Sequence, residues 1–370
     1  MQKYLCALLL ALASVTCGGG SDDGPYGKKV AVEPAVCAGG WQSVQVLPQS
    51  GVASIYEMAW LSDHLHYFRP NTVFPFGTTL VTIASDRTIT SVPAIDGYPF
   101  TNDGQKLATF RGLDDGTRQL WTKSVDAQDW TLETTFAFAG VTASAYPFQT
   151  LLTAEAIYAG VPTEDAYLIS RFDRATGAEQ RLAAVRFPGF GPDGVSTDYF
   201  GRVALWTDWL FFDGASGSGT TFSLPLTGGE PVFMLRASGN SFGPLAMSSS
   251  GQVLFQVRDS ERTSFLAVAP VGTPGPPVRW GTDLPRELFT TAAFDDGKGG
   301  WVLTGIERLA DGAEHTTVFT VDAAGRSRRI ACDPEVGRSA SKGVLSPQGL
   351  YLAPLQLDPI HNETVFVPLP

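Results

Sequence analysis

An all-β ring of seven small sheets is the architecture this sequence predicts, and three observations predict it. Short apolar β-type stretches recur along the 370 residues, centred on Leu65, Leu107, Ile157, Leu210, Val253, Trp301 and Tyr351, about 48 residues apart on average. Aromatic residues make up 11% of the chain and charged residues only 17%, with 40 Gly and 25 Pro, which suits a large buried core joined by many turns. From Trp41 to the end, strand patterns and turn signals alternate with no helical period. Repeats of roughly 40 to 50 residues with several strands each make a β-propeller, here with seven four-stranded antiparallel blades.

The elements follow in order. Residues 41–370 form the propeller domain, after a leader over residues 1–16 and a Gly/Asp/Pro/Lys tether over residues 17–40. In the second repeat, Ser91–Phe100 is expected as the inner strand, then Lys106–Phe110, Arg118–Lys123 and Trp130–Phe136. Asn102-Asp103-Gly104, Asp114-Asp115-Gly116 and Asp126 to Asp129 are the turns between them. The fourth repeat supplies Arg202–Phe212, Thr221–Leu226 and Pro231–Leu235; the fifth supplies Gln252–Val257, Thr263–Ala269 and Val278–Trp280. Trp301–Thr304, Thr316–Val321 and Arg328–Ala331 belong to the sixth. The seventh, with Leu350–Ala353 and Glu363–Val367, lacks a last strand, while Trp41–Leu47 stands spare with alternate residues apolar. Donating that strand closes the ring and covers an open sheet edge.

The leader has Lys3 followed by an apolar run from Leu5 to Val15, too short to span a bilayer comfortably. The run ends at Cys17, followed by Gly18-Gly19-Gly20-Ser21-Asp22-Asp23-Gly24. This resembles a bacterial lipoprotein signal, which implies lipidation of Cys17 and anchoring in the cell envelope. Gly18 after the cysteine implies the outer membrane of a Gram-negative bacterium. Ordinary signal cleavage after Ala11-Leu12-Ala13, giving a secreted or periplasmic protein, is the other reading. Cys6 leaves with the leader, so Cys37 and Cys332 remain in an oxidising compartment. They are expected to form a disulfide, the alternative being two unpaired structural cysteines.

Residues Tyr98 to Thr122, with Phe100-Thr101-Asn102-Asp103-Gly104-Gln105-Lys106-Leu107-Ala108-Thr109-Phe110 and then Asp114-Asp115-Gly116-Thr117-Arg118-Gln119-Leu120-Trp121-Thr122, resemble the TolB-type (WD40-like) propeller repeat, with weaker echoes at Ser249–Phe255 and Ser346–Tyr351. The resemblance implies the propeller fold. Because such repeats serve binding propellers and the propeller halves of some peptidases alike, it implies little about activity.

The motifs assemble no nucleophile–base–orienter set. The net charge of −11 without a Lys/Arg cluster argues against nucleic acid as a partner, since counterion release needs a basic face. Gly239-Asn240-Ser241-Phe242-Gly243 fits G-x-S-x-G, but it lies between strands rather than between a strand and a helix. His64 and His66 share one strand face without a third metal ligand, and Asp114-Asp115 and Asp295-Asp296 precede glycines as turn residues do. No cofactor and no metal is therefore expected. One feature recurs: the aromatics Tyr98, Phe100, Tyr146, Phe148, Tyr199, Phe200 and Phe242 precede second strands near the expected central channel. They either pack blade against blade or contact a ligand. The chain reads as a membrane-anchored monomeric binding scaffold for an envelope protein or glycan. The alternative is a propeller enzyme, a hydrolase or lyase acting on glycan or lactone at the channel mouth.

Overall fold

Each of the seven apolar markers falls on the second strand of a separate sheet. In the computed structural model, which describes residues 39–46, 58–71, 77–95, 100–141, 149–163, 166–186, 196–200, 203–212, 215–236, 242–258, 264–274, 277–281, 283–285, 288–334, 338–356 and 363–370, those sheets are all four-stranded and antiparallel. Blades 1 to 6 cover residues 58–94, 100–136, 149–185, 196–236, 242–280 and 289–332, each laid down from the inner strand to the outer one. Blade 7 takes Arg338–Ser346, Gly349–Gln356 and Glu363–Pro368 from the end of the chain and Gln42–Val46 from its beginning. There is no helix among the described residues.

Turn chemistry sets the hairpins. Ser62 and Asp63 both take positive φ (51° and 60°), the backbone of a two-residue hairpin whose twist matches the strands it joins. Asp103, Asp115, Asp296, Asp311 and Asp322 each accept a backbone N–H two residues on, which fixes the turns by Asx geometry. Second strands carry the core: Ala156–Pro162 is buried at its first six positions, and Trp301–Arg308 at all but two. The outer strand of blade 1 is wet: Ile89–Ala94 is exposed at its first five positions.

One expectation is corrected. Ser91–Phe100 is not an inner strand. Its first half belongs to Ile89–Ala94, the outer strand of blade 1, and Phe100–Asn102 opens blade 2. The hairpin around Asp86 and Arg87 pairs Ile83 with Ile89, so the run is claimed by blade 1 before the chain crosses the seam. The closing strand stands as expected: Gln42–Val46 pairs antiparallel with Glu363–Pro368, from Gln42 opposite Phe366 to Val46 opposite Glu363, with a bulge between Ser43 and Gln45.

The seams between blades use different bonds. At the 2/3 seam, Arg174, from the turn after Tyr167–Asp173, is buried and bridges to Asp103 at 2.7 Å and to both oxygens of Glu133. Its guanidinium also donates to the Thr153 carbonyl at 2.8 Å. At the 5/6 seam the Gln256 amide, with its oxygen and nitrogen exchanged to suit their neighbours, donates to the Thr290 carbonyl at 2.8 Å and accepts the Thr290 N–H at 3.1 Å. At the 6/7 seam the Thr304 and Thr291 hydroxyls both donate to the Ala340 carbonyl, at 3.1 and 2.5 Å.

Candidate functional site

Because the inner strand leads every blade, its first residue marks the same mouth of the ring seven times: Met58, Phe100, Gln149, Ser196, Phe242, Phe289 and Arg338. The recurring aromatics do not all gather there. Phe100 and Phe242 begin their strands, whereas Tyr199 and Phe200 end Ser196–Phe200, at the opposite mouth, because blade 4 pairs Phe200 directly with Val203 across a tight connection. Phe100 is 4% exposed and stacks on Phe68, with centroids 4.3 Å apart; Trp130 meets Phe68 edge-on at 5.8 Å. Its ring fills the wall between blades 1 and 2. Tyr98, Tyr146 and Phe148 lie outside the described residues, as do Ser241, Cys17 and Cys37. Sequence reasoning missed Phe289, which is 47% exposed and occupies the same slot as Phe100 and Phe242. Its position just before the marker strand Trp301–Arg308 was the available signal.

The titratable groups singled out in the sequence serve the scaffold. His66 is buried; Nδ1 faces the Thr82 hydroxyl at 3.0 Å and Nε2 the Leu61 carbonyl at 3.3 Å, so a neutral ring satisfies both. Burial first, and the charges of His64 and Lys123 after it, outweigh the Leu61 bond and bring its pKa down to about 4. His64 stands beside it, ring centroids 6.0 Å apart. Asp295 accepts the Ser249 N–H at 2.6 Å across the 5/6 seam, and Asp296 caps Lys298 and Gly300. Among the described residues no group of three His, Cys, Asp or Glu side chains converges as a metal site.

Two buried ionic clusters were not legible beforehand. At the 2/3 seam burial disfavours charge on Asp103 and Glu133. Backbone N–H groups of Lys106 and Gln105 for Asp103, and Arg174 and Thr122 for Glu133, outweigh it and hold both carboxyls below their ordinary range. In blade 6, Glu307 pairs with Arg329, and His315, directly opposite Glu307, meets the Asp333 carbonyl and the Asp311 carboxylate, each at 2.8 Å. Burial opposes the charged ring, but these two partners prevail and raise its pKa. An open groove of about 360 Å³ beside blade 2 is lined by polar and apolar groups alike, Lys106, Lys123, Asp129, Leu132 and Glu133 among them, and its buried ammonium, Lys123, is spent on the Ala127 and Ser124 carbonyls.

No protein-family model and no curated protein sequence matches the chain. Solved structures do. The β-propeller domain of the trilobed protease from Pyrococcus furiosus is similar at TM-score 0.56 and 10% identity, over 85% of this chain and 95% of that one. The acylaminoacyl peptidase of Pyrococcus horikoshii is similar at TM-score 0.56 and 11% identity, over 87% of this chain and 53% of that one. This chain thus spans about half the length of that peptidase. TolB from Acinetobacter baumannii aligns at TM-score 0.44 and 14% identity, over 75% of this chain and 65% of that one. At such identities the peptidase propellers show a common fold and nothing further.

Proposed function

We propose that this propeller is a binding scaffold of the bacterial cell envelope, held to a membrane by lipid on Cys17, with the mouth marked by Phe242 and Phe289 as its contact surface. The observation that carries this reading is the contrast at that mouth. Phe289 presents a large ring to solvent, while the described histidines and paired carboxylates are engaged in turns, seams and strand packing. An exposed aromatic at a concave mouth offers contact area at low entropic cost. A photo-crosslinking residue in place of Phe289 is expected to trap a discrete envelope protein or glycan, and one in place of Val278, 70% exposed on the outer rim, is not. Equal labelling from both positions overturns the assignment of the mouth. For the anchor, Cys17→Ala is expected to move the protein from the membrane to the soluble envelope fraction. An unmodified mature chain beginning at Ser14 overturns it.

The Cys37–Cys332 disulfide belongs to the same proposal. Supporting it, the Cys332 N–H donates to the Gly39 carbonyl at 3.0 Å and Gly40 bridges to Cys332, so the chain two to three residues after Cys37 lies against the buried Cys332. Gly39 and Gly40 both take positive φ, 80° and 90°, which turns the chain there.

A further inference from the structure

The N-terminal segment touches two different blades within a few residues, and the two attachments differ in strength. Its strand, Gln42–Val46, supplies the outer edge of blade 7 and is paired on one side only, through four register pairs interrupted by a bulge. Beyond that ladder its described side chains offer the half-buried Trp41 and a 3.4 Å bond from Arg87 to Gln42. The preceding residues belong to blade 6 instead. Gly40 is pressed so closely on that blade's outer strand that an added Cβ would come within 3.0 Å of both the Ala331 side chain and the Ile330 carbonyl. Cys332 there is wholly buried and flanked by fixed groups. Thr317 pairs with it, the Asp333 N–H donates to the Thr316 carbonyl at 2.8 Å, and Arg329 is locked on Glu307.

A pull on the tether therefore has two possible paths. Without a covalent joint the hydrogen bond from the Cys332 N–H to the Gly39 carbonyl stands before Gln42, and once it parts the pull opens the closing ladder one pair after another from its end. We infer that the Cys37–Cys332 bond sends the load into blade 6 ahead of that ladder, so that the ring stays closed while the protein is held by its N-terminus. This rests on the disulfide reading above. The bond joins two thiolates with loss of two electrons to a thiol–disulfide oxidant of the envelope, and its reduction returns the load to the closing strand.

The experiment grips the full propeller by handles at residue 18 and at Lys298, on an exposed turn of blade 6, after peptide mapping of alkylated thiols under non-reducing conditions. Oxidised protein is expected to show no opening before blade 6 itself yields. Protein in dithiothreitol is expected to open first at low force by about 70 Å, the extended length of residues 38–57. Cys332→Ser is expected to do the same, and the reduced wild type supplies this arm if that variant does not fold. Two alkylated thiols in the mapping would overturn the disulfide and the inference with it. A mapped bond together with the 70 Å step in oxidised protein overturns the inference alone.

Discussion

The 2/3 seam and the 6/7 seam solve one geometric problem with opposite chemistry. Blades 2 and 3 are joined by a buried guanidinium shared between two carboxylates, and blades 6 and 7 by two threonine hydroxyls on a single carbonyl. Both leave the polar groups satisfied, which is what burial demands. They differ in what failure costs. Removing one member of the charged set strands the others in a poor solvent, whereas a lost hydroxyl removes a bond and little else. Blade 7 is also where Gln42–Val46 pairs with Glu363–Pro368, so this side of the ring depends on a strand as well as on side chains.

The largest effect is expected from that strand. A chain starting at residue 50 is expected to lose on the order of 5 kcal/mol relative to one starting at residue 36, from the ladder bonds and the packing of Trp41. Equal thermal midpoints would remove the strand from the account of ring closure. Next comes Arg174→Ala, which leaves Asp103 and Glu133 without their cation and is expected to cost about 3 kcal/mol by urea denaturation. If it costs no more than Thr304→Val, the contrast between the seams fails.

Acid sharpens the same comparison. His66 is neutral in the fold, with a pKa near 4 against an ordinary 6.5, so the unfolded chain takes up the proton first as pH falls. Stability is expected to drop by about 3 kcal/mol between pH 7 and pH 4 from this residue, and His66→Gln should abolish that portion. Asp103 and Glu133, with lowered values, contribute stability that is lost only at still lower pH, as it falls through their folded pKa values. A wild-type and a His66→Gln pH–stability curve that coincide would contradict this ordering. Smallest is Thr304→Val, expected at about 1 kcal/mol with no pH dependence, since its hydroxyl and the Ala340 carbonyl do not titrate in this range.

Much of the architecture was legible because period and turn chemistry are local. The seven apolar markers each landed on a second strand, and Val278–Trp280 was delimited to the residue. The pattern over Ser91–Phe100 does not show which sheet claims it, because apolar alternation is the same in either; the hairpin pairing Ile83 with Ile89 decides. The aromatics misled for a related reason. Tyr199-Phe200 looks like Tyr98-Pro99-Phe100 in sequence, yet a tight connection puts one at the end of an inner strand and the junction puts Phe100 at the start of another. Arg174 could not be found at all: Glu133 lies 41 residues away, and no local pattern pairs a turn arginine with a carboxylate on the next blade.

The borrowed strand also sets a clock. Roughly 300 residues separate Val46 from its partner Glu363. At typical synthesis rates, roughly 15 to 60 s pass between the emergence of the two. Through that interval the first-made strand has alternating apolar residues and no ladder to join, while six blades can pair within themselves as they appear. Long-range pairing of this kind folds slowly and leaves an edge open to other chains. The ring's first strand in chain order is thus the last to find its partner, and the hazard of misassembly is concentrated in the few residues around Gln42–Val46.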